Sequence, residues 1–418
     1  MSKVAFPFSG HGFADGQLKK EKQAEKVTDS GDVVADDVLY SLTRLADASC
    51  AQNWLVRDID SIKVLSRYTL QIHLTKPNHL FLRFLSFAPA SIVPRDVYEE
   101  NREGMTDLPV GSGPYKVTKW SSGVCVLEAF DPHFQGRAFI DRIEIIIVPE
   151  TNNEFLLEPK SNLLVVWSGE AAVHSARDWE EAEDLCGSSL LTVNLKKEGA
   201  LQDIHFRKAL YHLINRQKMI VELGEPRLYP SRNFQVNGRP SFFDKDWKGD
   251  EALNLLSQSQ YQGEPLQLFT YSRHAPDAFW LKHEYKTYGI HVHVNLVSWR
   301  DMLKKENMEK ADLILFEALL SEGMIRLIEY YQSSNSFIRS HLDDKLSSFV
   351  DRNISELLAE PNDESRQQIL QKIEQELKDQ YVMIFLVYKT VSTMSHPSLR
   401  GVKVSPSGWV DFKNIWFK

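Results

Sequence analysis

Between Ala35 and Ala46 the apolar residues Val38, Leu39, Leu42, Leu45 and Ala46 recur at the three- and four-residue spacing that lines one helix face, and Asp36 and Asp37 suit its N-terminus. Alternation over 61–74 predicts a strand. The almost wholly apolar stretch 80–90, interrupted by Pro89 and Pro94, predicts a buried short helix or loop. A glycine turn at Gly111-Ser112-Gly113 leads into a strand from Pro114, and 124–130 with 143–148 supply two more strands. Residues 27–148 therefore read as one α+β unit.

Further on, Phe206, Ala209, Leu210, Leu213 and Ile214 mark an amphipathic helix running towards Gly224, flanked by strand-like runs at 163–167 and 190–195. From 266 the order is strand (266–271), helix (277–288, stopped by Gly289), strand (290–297), short helix (301–308) and strand (312–317). That is a βαβαβ unit, for which a parallel sheet with right-handed crossovers is expected. A helix over 364–379, capped by Asn362 or Asp363 and apolar at Ile369, Ile373 and Leu377, precedes the continuous apolar strand 381–388, expected to be buried on both faces.

At 418 residues the chain exceeds one hydrophobic core, and 43% hydrophobic with 25% charged residues is the balance of a folded globular protein. The division expected is a poorly patterned segment 1–26, first-lobe residues 27–148, first-lobe core and hinge crossing 149–240, a second α/β lobe 241–390, and a return to the first lobe over 391–418. A net charge of −8 gives no overall attraction to nucleic acid or anionic membranes. Lys19, Lys20, Lys22 and Lys26 are interspersed with Glu21 and Glu25 and read as a solvated helix face. Cys50, Cys125 and Cys186 have no C-x-x-C spacing and read as buried structural thiols. Neither an export signal nor a run of 18 apolar residues is written in the chain, so a cytoplasmic placement is expected.

Several segments together resemble the dipeptide and oligopeptide class of bacterial solute-binding proteins, family 5. Residues 27–45 (VTDSGDVVADDVLYSLTRL) are similar to the family's A-x-D-V-x-x-S-L helix region, Gly111–Trp120 (GSGPYKVTKW) to its G-T-G-P-Y signature, and Phe206–Ile220 (FRKALYHLINRQKMI) to its R-x-A-L-x-x-A-I-D-R helix, with Asn215 where the family often has Asp. Residues 342–388 resemble the end of the second lobe. The tail 399–417 (LRGVKVSPSGWVDFKNIWF) is similar to that of SgrR-type transcriptional regulators, which join a winged-helix DNA-binding domain to a solute-binding domain.

The resemblance implies an α/β, two-lobed periplasmic-binding-protein-like fold (type II, cluster C) with a hinge and interlobe cleft, the first lobe incomplete at its N-terminus. It implies a solute-binding or ligand-sensing role, with sugar-phosphate or other metabolic stress as signal and DNA contacted only through a winged-helix domain outside this chain. The alternatives are a peptide-binding component of an ABC transporter, extracytoplasmic and working with a permease, and a truncated remnant that binds nothing.

In a parallel α/β sheet, ligands bind beyond the carboxyl ends of the strands. That rule selects Tyr271, Arg273 and His274 after one strand and Phe316 and Glu317 at another. An arginine there suits a carboxylate or phosphate, and a buried glutamate suits a ligand amine. The loop 316–322, which carries a Trp and an Asp in peptide-binding relatives, reads Phe-Glu-Ala-Leu-Leu-Ser-Glu here, a departure that weakens the case for free peptide. Trp167, closing a strand, and Tyr229 with Arg232, in a proline-punctuated loop, are further candidates; the competing reading is a packed Trp and an exposed loop. His291 and His293 share a strand face but have no third ligand nearby, so no metal and no cofactor is expected. With no G-x-S-x-G, Walker or H-E-x-x-H motif and no fixed pair of carboxylates, an enzyme is not expected.

Overall fold

The structure is a computed structural model and describes residues 33–100, 109–146, 165–168, 179–235, 241–319, 323–403 and 410–418. The lysine-rich stretch 19–26 and residues 320–322 of the expected binding loop lie outside the described residues. Two compact units emerge: one holds 33–146 with 397–403 and 410–418, the other 165–168 and 179–396.

In the first unit, helix α1 (Ala35–Leu45) begins where Asp37 Oδ2 accepts the Val34 N–H at 2.9 Å, and it buries Ala35, Ser41, Leu42 and Leu45. The stretch expected as one strand is a hairpin, β1 (Ile59–Ser66) against β2 (Thr69–Leu74), turning at Arg67-Tyr68. Helix α2 (Phe81–Leu85) and a 3₁₀ turn at Ala88–Ala90 follow, and the Trp54 ring meets Phe84 edge-on at 5.2 Å in the core they share. After α3 (Arg95–Glu100) comes an antiparallel three-stranded sheet: β3 (Tyr115–Trp120), β4 (Val124–Ala129) and β5 (Arg142–Ile146). The C-terminal residues pair as a small hairpin, Leu399–Arg400 with Trp416–Phe417, and the Tyr115 hydroxyl donates to the Phe412 carbonyl at 3.2 Å. Cys125 is buried and free; Cys50, expected buried, is only half so.

The second unit is organised around a seven-stranded sheet among the described residues. Its strands are β6 (Val165–Ser168), β7 (Glu180–Val193), β8 (Arg227–Pro230), β9 (Leu266–Thr270), β10 (Val292–Leu296), β11 (Leu313–Leu319) and β12 (Met383–Ser395), in the order β10-β9-β11-β7-β12-β6 with β8 also on β12. The parallel expectation holds for β10, β9 and β11, but β11–β7, β7–β12, β12–β6 and β12–β8 are antiparallel, so the sheet is mixed. The strand expected at 190–195 thus joins the strands of 266–319, where the sequence division had assigned it to the first lobe. Its tight approach to β11 requires glycine: a Cβ on Gly187 would lie 2.2 Å from the Ala318 carbonyl oxygen.

The helices differ from expectation where a polar side chain offers the backbone another partner. The single helix expected from Phe206 to Gly224 is two, α4 (Ile204–Leu213) and α5 (Arg216–Leu223), because Asn215 is extended and its Oδ1 caps Lys218 N–H at 2.9 Å. After α6 (Gly249–Gln258), helix α7 (Ala275–Thr287) ends before Gly289, whose φ of 80° reverses the chain. The helix expected over 301–308 is split into α8 (Trp299–Met302), capped by Ser298, and α9 (Lys305–Lys310), because Lys304 is extended. Helices α10 (Met324–Gln332), α11 (Phe337–His341), α12 (Asp344–Ala359) and α13 (Asp363–Asp379) complete the unit. Asn362 caps α13 through Glu364 and Ser365 N–H, and Tyr381, at φ 51°, delays β12 to Met383. As expected for the apolar run, Val382 through Val387 are buried.

Candidate ligand-binding site

Strand β9 delivers its chain to an extended Tyr271, and Ser272–His274 form a 3₁₀ turn that runs directly into α7. This turn aims His274 inwards, where it is fully buried. One turn into α7, Asp277 is also fully buried and accepts two charged hydrogen bonds, from Arg227 Nε to Oδ1 at 2.6 Å and from Lys389 Nζ to Oδ2 at 2.5 Å. Arg227 comes from β8 and Lys389 from β12, so one carboxylate ties two strands to the start of a helix. A carboxylate in the first turn is further favoured by the helix dipole.

Lys389 Nζ lies 3.4 Å from His274 Nδ1, and His274 Nε2 lies 3.0 Å from the Tyr271 hydroxyl. Burial, and then the charges of Lys389, Arg273 and Arg227, hold the imidazole well below its usual pKa. A neutral ring beside an ammonium accepts at Nδ1, which leaves the proton on Nε2 to be donated to Tyr271.

On the neighbouring strand, Glu317 sits opposite Ser189 in the β11–β7 ladder, with only 2% of its side chain exposed. Arg273 Nη2 is 3.2 Å from Glu317 Oε2, an ion-pair distance, yet neither carboxylate oxygen receives an aligned hydrogen bond. A carboxylate buried in this way carries a desolvation cost that its ion pair with Arg273 offsets in part. Beside it, the Tyr271 ring meets Trp299 edge-on at 5.1 Å, Trp299 meets Phe337 at 5.8 Å, and Phe337 meets Phe316 at 5.1 Å.

Of the candidates, Tyr271, Arg273, His274 and Glu317 are therefore brought together, and Phe316 lies on the opposite face of β11, joined through the aromatic row. Tyr229 is in strand β8 opposite Tyr388 and not in a loop. Arg232 is not among the residues brought together at the turn: its Nε lies 2.7 Å from Asp246 Oδ2 in a partly exposed ion pair. Trp167 lies in β6 opposite Thr393. His291 and His293 are exposed, and among the described residues no group of three metal-ligating side chains is assembled. Asp277, Arg227 and Lys389 escaped sequence reasoning. The one signal was a lysine directly after the apolar run 381–388.

Comparison with known proteins follows the same architecture. The family model for the middle region of bacterial extracellular solute-binding proteins, family 5, matches residues 10–324. The chain is 27% identical over 386 residues to the Bacillus subtilis protein YhjP and 23% identical over 397 residues to the HTH-type transcriptional regulator SgrR of Salmonella typhi, in each case covering 91% of this chain and 63% of the relative. The chain thus spans less than two thirds of the length of these relatives. Among solved structures, the periplasmic binding protein DppA of Helicobacter pylori, in complex with the peptide STSA, superposes with a TM-score of 0.78 at 18% identity, covering 92% of this chain and 81% of that one. The fold is the α/β periplasmic-binding-protein-like fold, and the chain belongs to the family 5 bacterial extracellular solute-binding proteins.

Proposed function

We propose that this chain is the ligand-sensing part of an SgrR-like transcriptional regulator and that it holds a small polar solute at the Tyr271–His274 turn and Glu317. The observation that carries the site is Glu317, a buried carboxylate facing Arg273 at 3.2 Å without an aligned hydrogen bond. Similarity to SgrR over 91% of the chain supports the regulatory role, and through it a cytoplasmic placement, with DNA bound by a segment outside this sequence. The arrangement is one for binding rather than catalysis: His274 is spent on Lys389 and Tyr271, and Asp277 on Arg227 and Lys389, which leaves no free acid–base pair at the turn. Among the described residues no helix is long and apolar enough to cross a membrane.

A second reading, a peptide-binding component of an ABC importer, draws on the peptide-bound DppA likeness. Thermal unfolding of the chain against phosphosugars and short peptides separates the two. A solute at 100 times its Kd stabilises the native state by about 2.7 kcal/mol. A rise with a phosphosugar alone supports the sensor, a rise with peptides alone supports the importer, and silence with both removes the site.

A further inference from the structure

Just beyond β8 the chain is fastened down by side chains and backbone from β12, α10 and α13. The Ser231 N–H bonds the Leu386 carbonyl at 2.9 Å, and Lys378 Nζ donates to Asn233 Oδ1 at 2.7 Å. The Tyr388 hydroxyl lies 3.0 and 2.9 Å from the carbonyls of Asn233 and Gln235, its one proton shared between them. Phe234, 2% exposed, fills an aromatic socket, stacked on Tyr330 at 5.9 Å and edge-on to Phe385 at 5.0 Å. The socket reaches the end of β11, because the Tyr330 hydroxyl donates to the Leu319 carbonyl at 3.0 Å and its ring meets Phe316 at 6.3 Å. Glu374, on α13, faces the same segment with 16% of its side chain exposed. The Phe234 N–H donates to it, Lys378 Nζ stands 4.0 Å away, and the hydroxyls of Tyr331 on α10 and Tyr388 on β12 are near enough for its charge to oppose their ionisation. Lys378 is already engaged by Asn233, and among the described residues the buried Tyr331 hydroxyl makes no hydrogen bond. An ionised Glu374 is therefore poorly compensated where it stands and gains hydration by leaving.

We infer that Ser231–Gln235 is a proton-controlled strap: with Glu374 neutral it stays seated and steadies the end of β11, and with Glu374 ionised it lifts. Its consequence for solute binding rests on the site proposed above, since β11 carries Glu317. The seated strap holds the Glu374 proton more tightly than the lifted one, in which the carboxyl meets water. Burial raises the seated carboxyl from 4.5 to about 7. The lifted population should therefore climb about tenfold per pH unit between those limits, by up to about 300-fold, and level off above pH 7. When Phe234 leaves its socket, Tyr330 loses the ring stacked on it, so the end of β11 loosens in step.

Hydrogen–deuterium exchange of the whole chain between pH 4.5 and 8, expressed as protection relative to the intrinsic rate, tests this without any solute. Protection of 231–235 is expected to fall about tenfold or more between pH 5 and 7, to level off above pH 7, and to stay below that of 383–387 throughout, with 313–319 following the same course. Glu374→Gln keeps the shape of the side chain and cannot ionise, so its profile should be flat; an unfolding midpoint at pH 4.5 equal to that of the wild type certifies its fold. Phe234→Leu fills the socket less well and should raise exchange of 231–235 and 313–319 at pH 4.5 while keeping the wild-type slope, which provides a second test should Glu374→Gln fail to fold. Protection of 231–235 that does not change with pH, or the same slope in Glu374→Gln as in the wild type, overturns the strap. So does protection equal to that of 383–387, which means that the segment opens only when its whole unit unfolds. A response at 231–235 with none at 313–319 overturns the hold on β11. If no solute stabilises the chain while the pH response is intact, the proposed site falls and the strap stands.

Discussion

Lys389 on β12 and Asp277 in the first turn of α7, 112 positions apart in the chain, meet through a 2.5 Å hydrogen bond with almost no solvent access to either. Arg227 holds the other oxygen of the same carboxylate. Removing the shared acceptor strands two buried cations, so Asp277→Ala should destabilise the protein by about 3–5 kcal/mol. Lys389→Met leaves Asp277 its bond to Arg227 and should cost distinctly less. Urea unfolding of both variants measures the difference; equal losses would contradict the shared-acceptor arrangement.

Stability should carry an opposed pH dependence from two buried groups. Burial raises Glu374 from 4.5 to about 7, so its ionisation weakens the fold as pH climbs through that window. Burial depresses His341 from 6.5 to about 4, so its neutral form contributes stability that is lost as pH falls through that window. Glu374→Gln removes only the first effect. The variant should gain on the wild type by up to about 3 kcal/mol between pH 4.5 and 7; a gap independent of pH in denaturant titrations would refute it.

Gly187→Ala should destabilise by about 1–3 kcal/mol or more, because the new methyl carbon meets backbone and not a movable side chain. Gly123, around which a Cβ finds nothing within 4 Å, is the control, and Gly123→Ala should stay within about 0.5 kcal/mol. Thermal midpoints of the two variants decide the matter.

Arg232→Ala should leave solute affinity unchanged and cost less than about 1 kcal/mol of stability, since its pair with Asp246 is screened by water. A tenfold loss of affinity in calorimetry would return Arg232 to the binding site.

The position of the Tyr271–Arg273 turn after β9, and of Glu317 on β11, was legible because strand, helix, strand, helix, strand over 266–317 has a clear period. The buried Asp277–Arg227–Lys389 group was not, because a lysine in an apolar strand is acceptable only if a distant carboxylate reaches it, and no local pattern encodes a contact across 112 positions. The Arg232–Asp246 pair was hidden for the complementary reason: in sequence, an arginine near an aromatic residue looks the same whether it faces a ligand or Asp246. Hairpin β1–β2 was hidden inside one alternating run because Arg67-Tyr68 is not a typical turn pair. The antiparallel partner of β11 was illegible too, since β7 lies more than a hundred residues upstream.

Strand β12 is the partner of β6, β7 and β8, and its pairing with β7 joins positions from Thr192 with Met383 to Glu180 with Ser395, about 200 residues apart. During synthesis, the long strand β7 therefore leaves the ribosome well before the neighbour that covers one of its edges exists. Until Ser395 has emerged, the edge of β7 that β12 covers is open to strands of other nascent chains, above all along Leu190–Val193. The order in which the chain is made thus sets a waiting period that folding of the first unit does nothing to shorten, and crowded translation at high expression is where this protein should first lose material to aggregation.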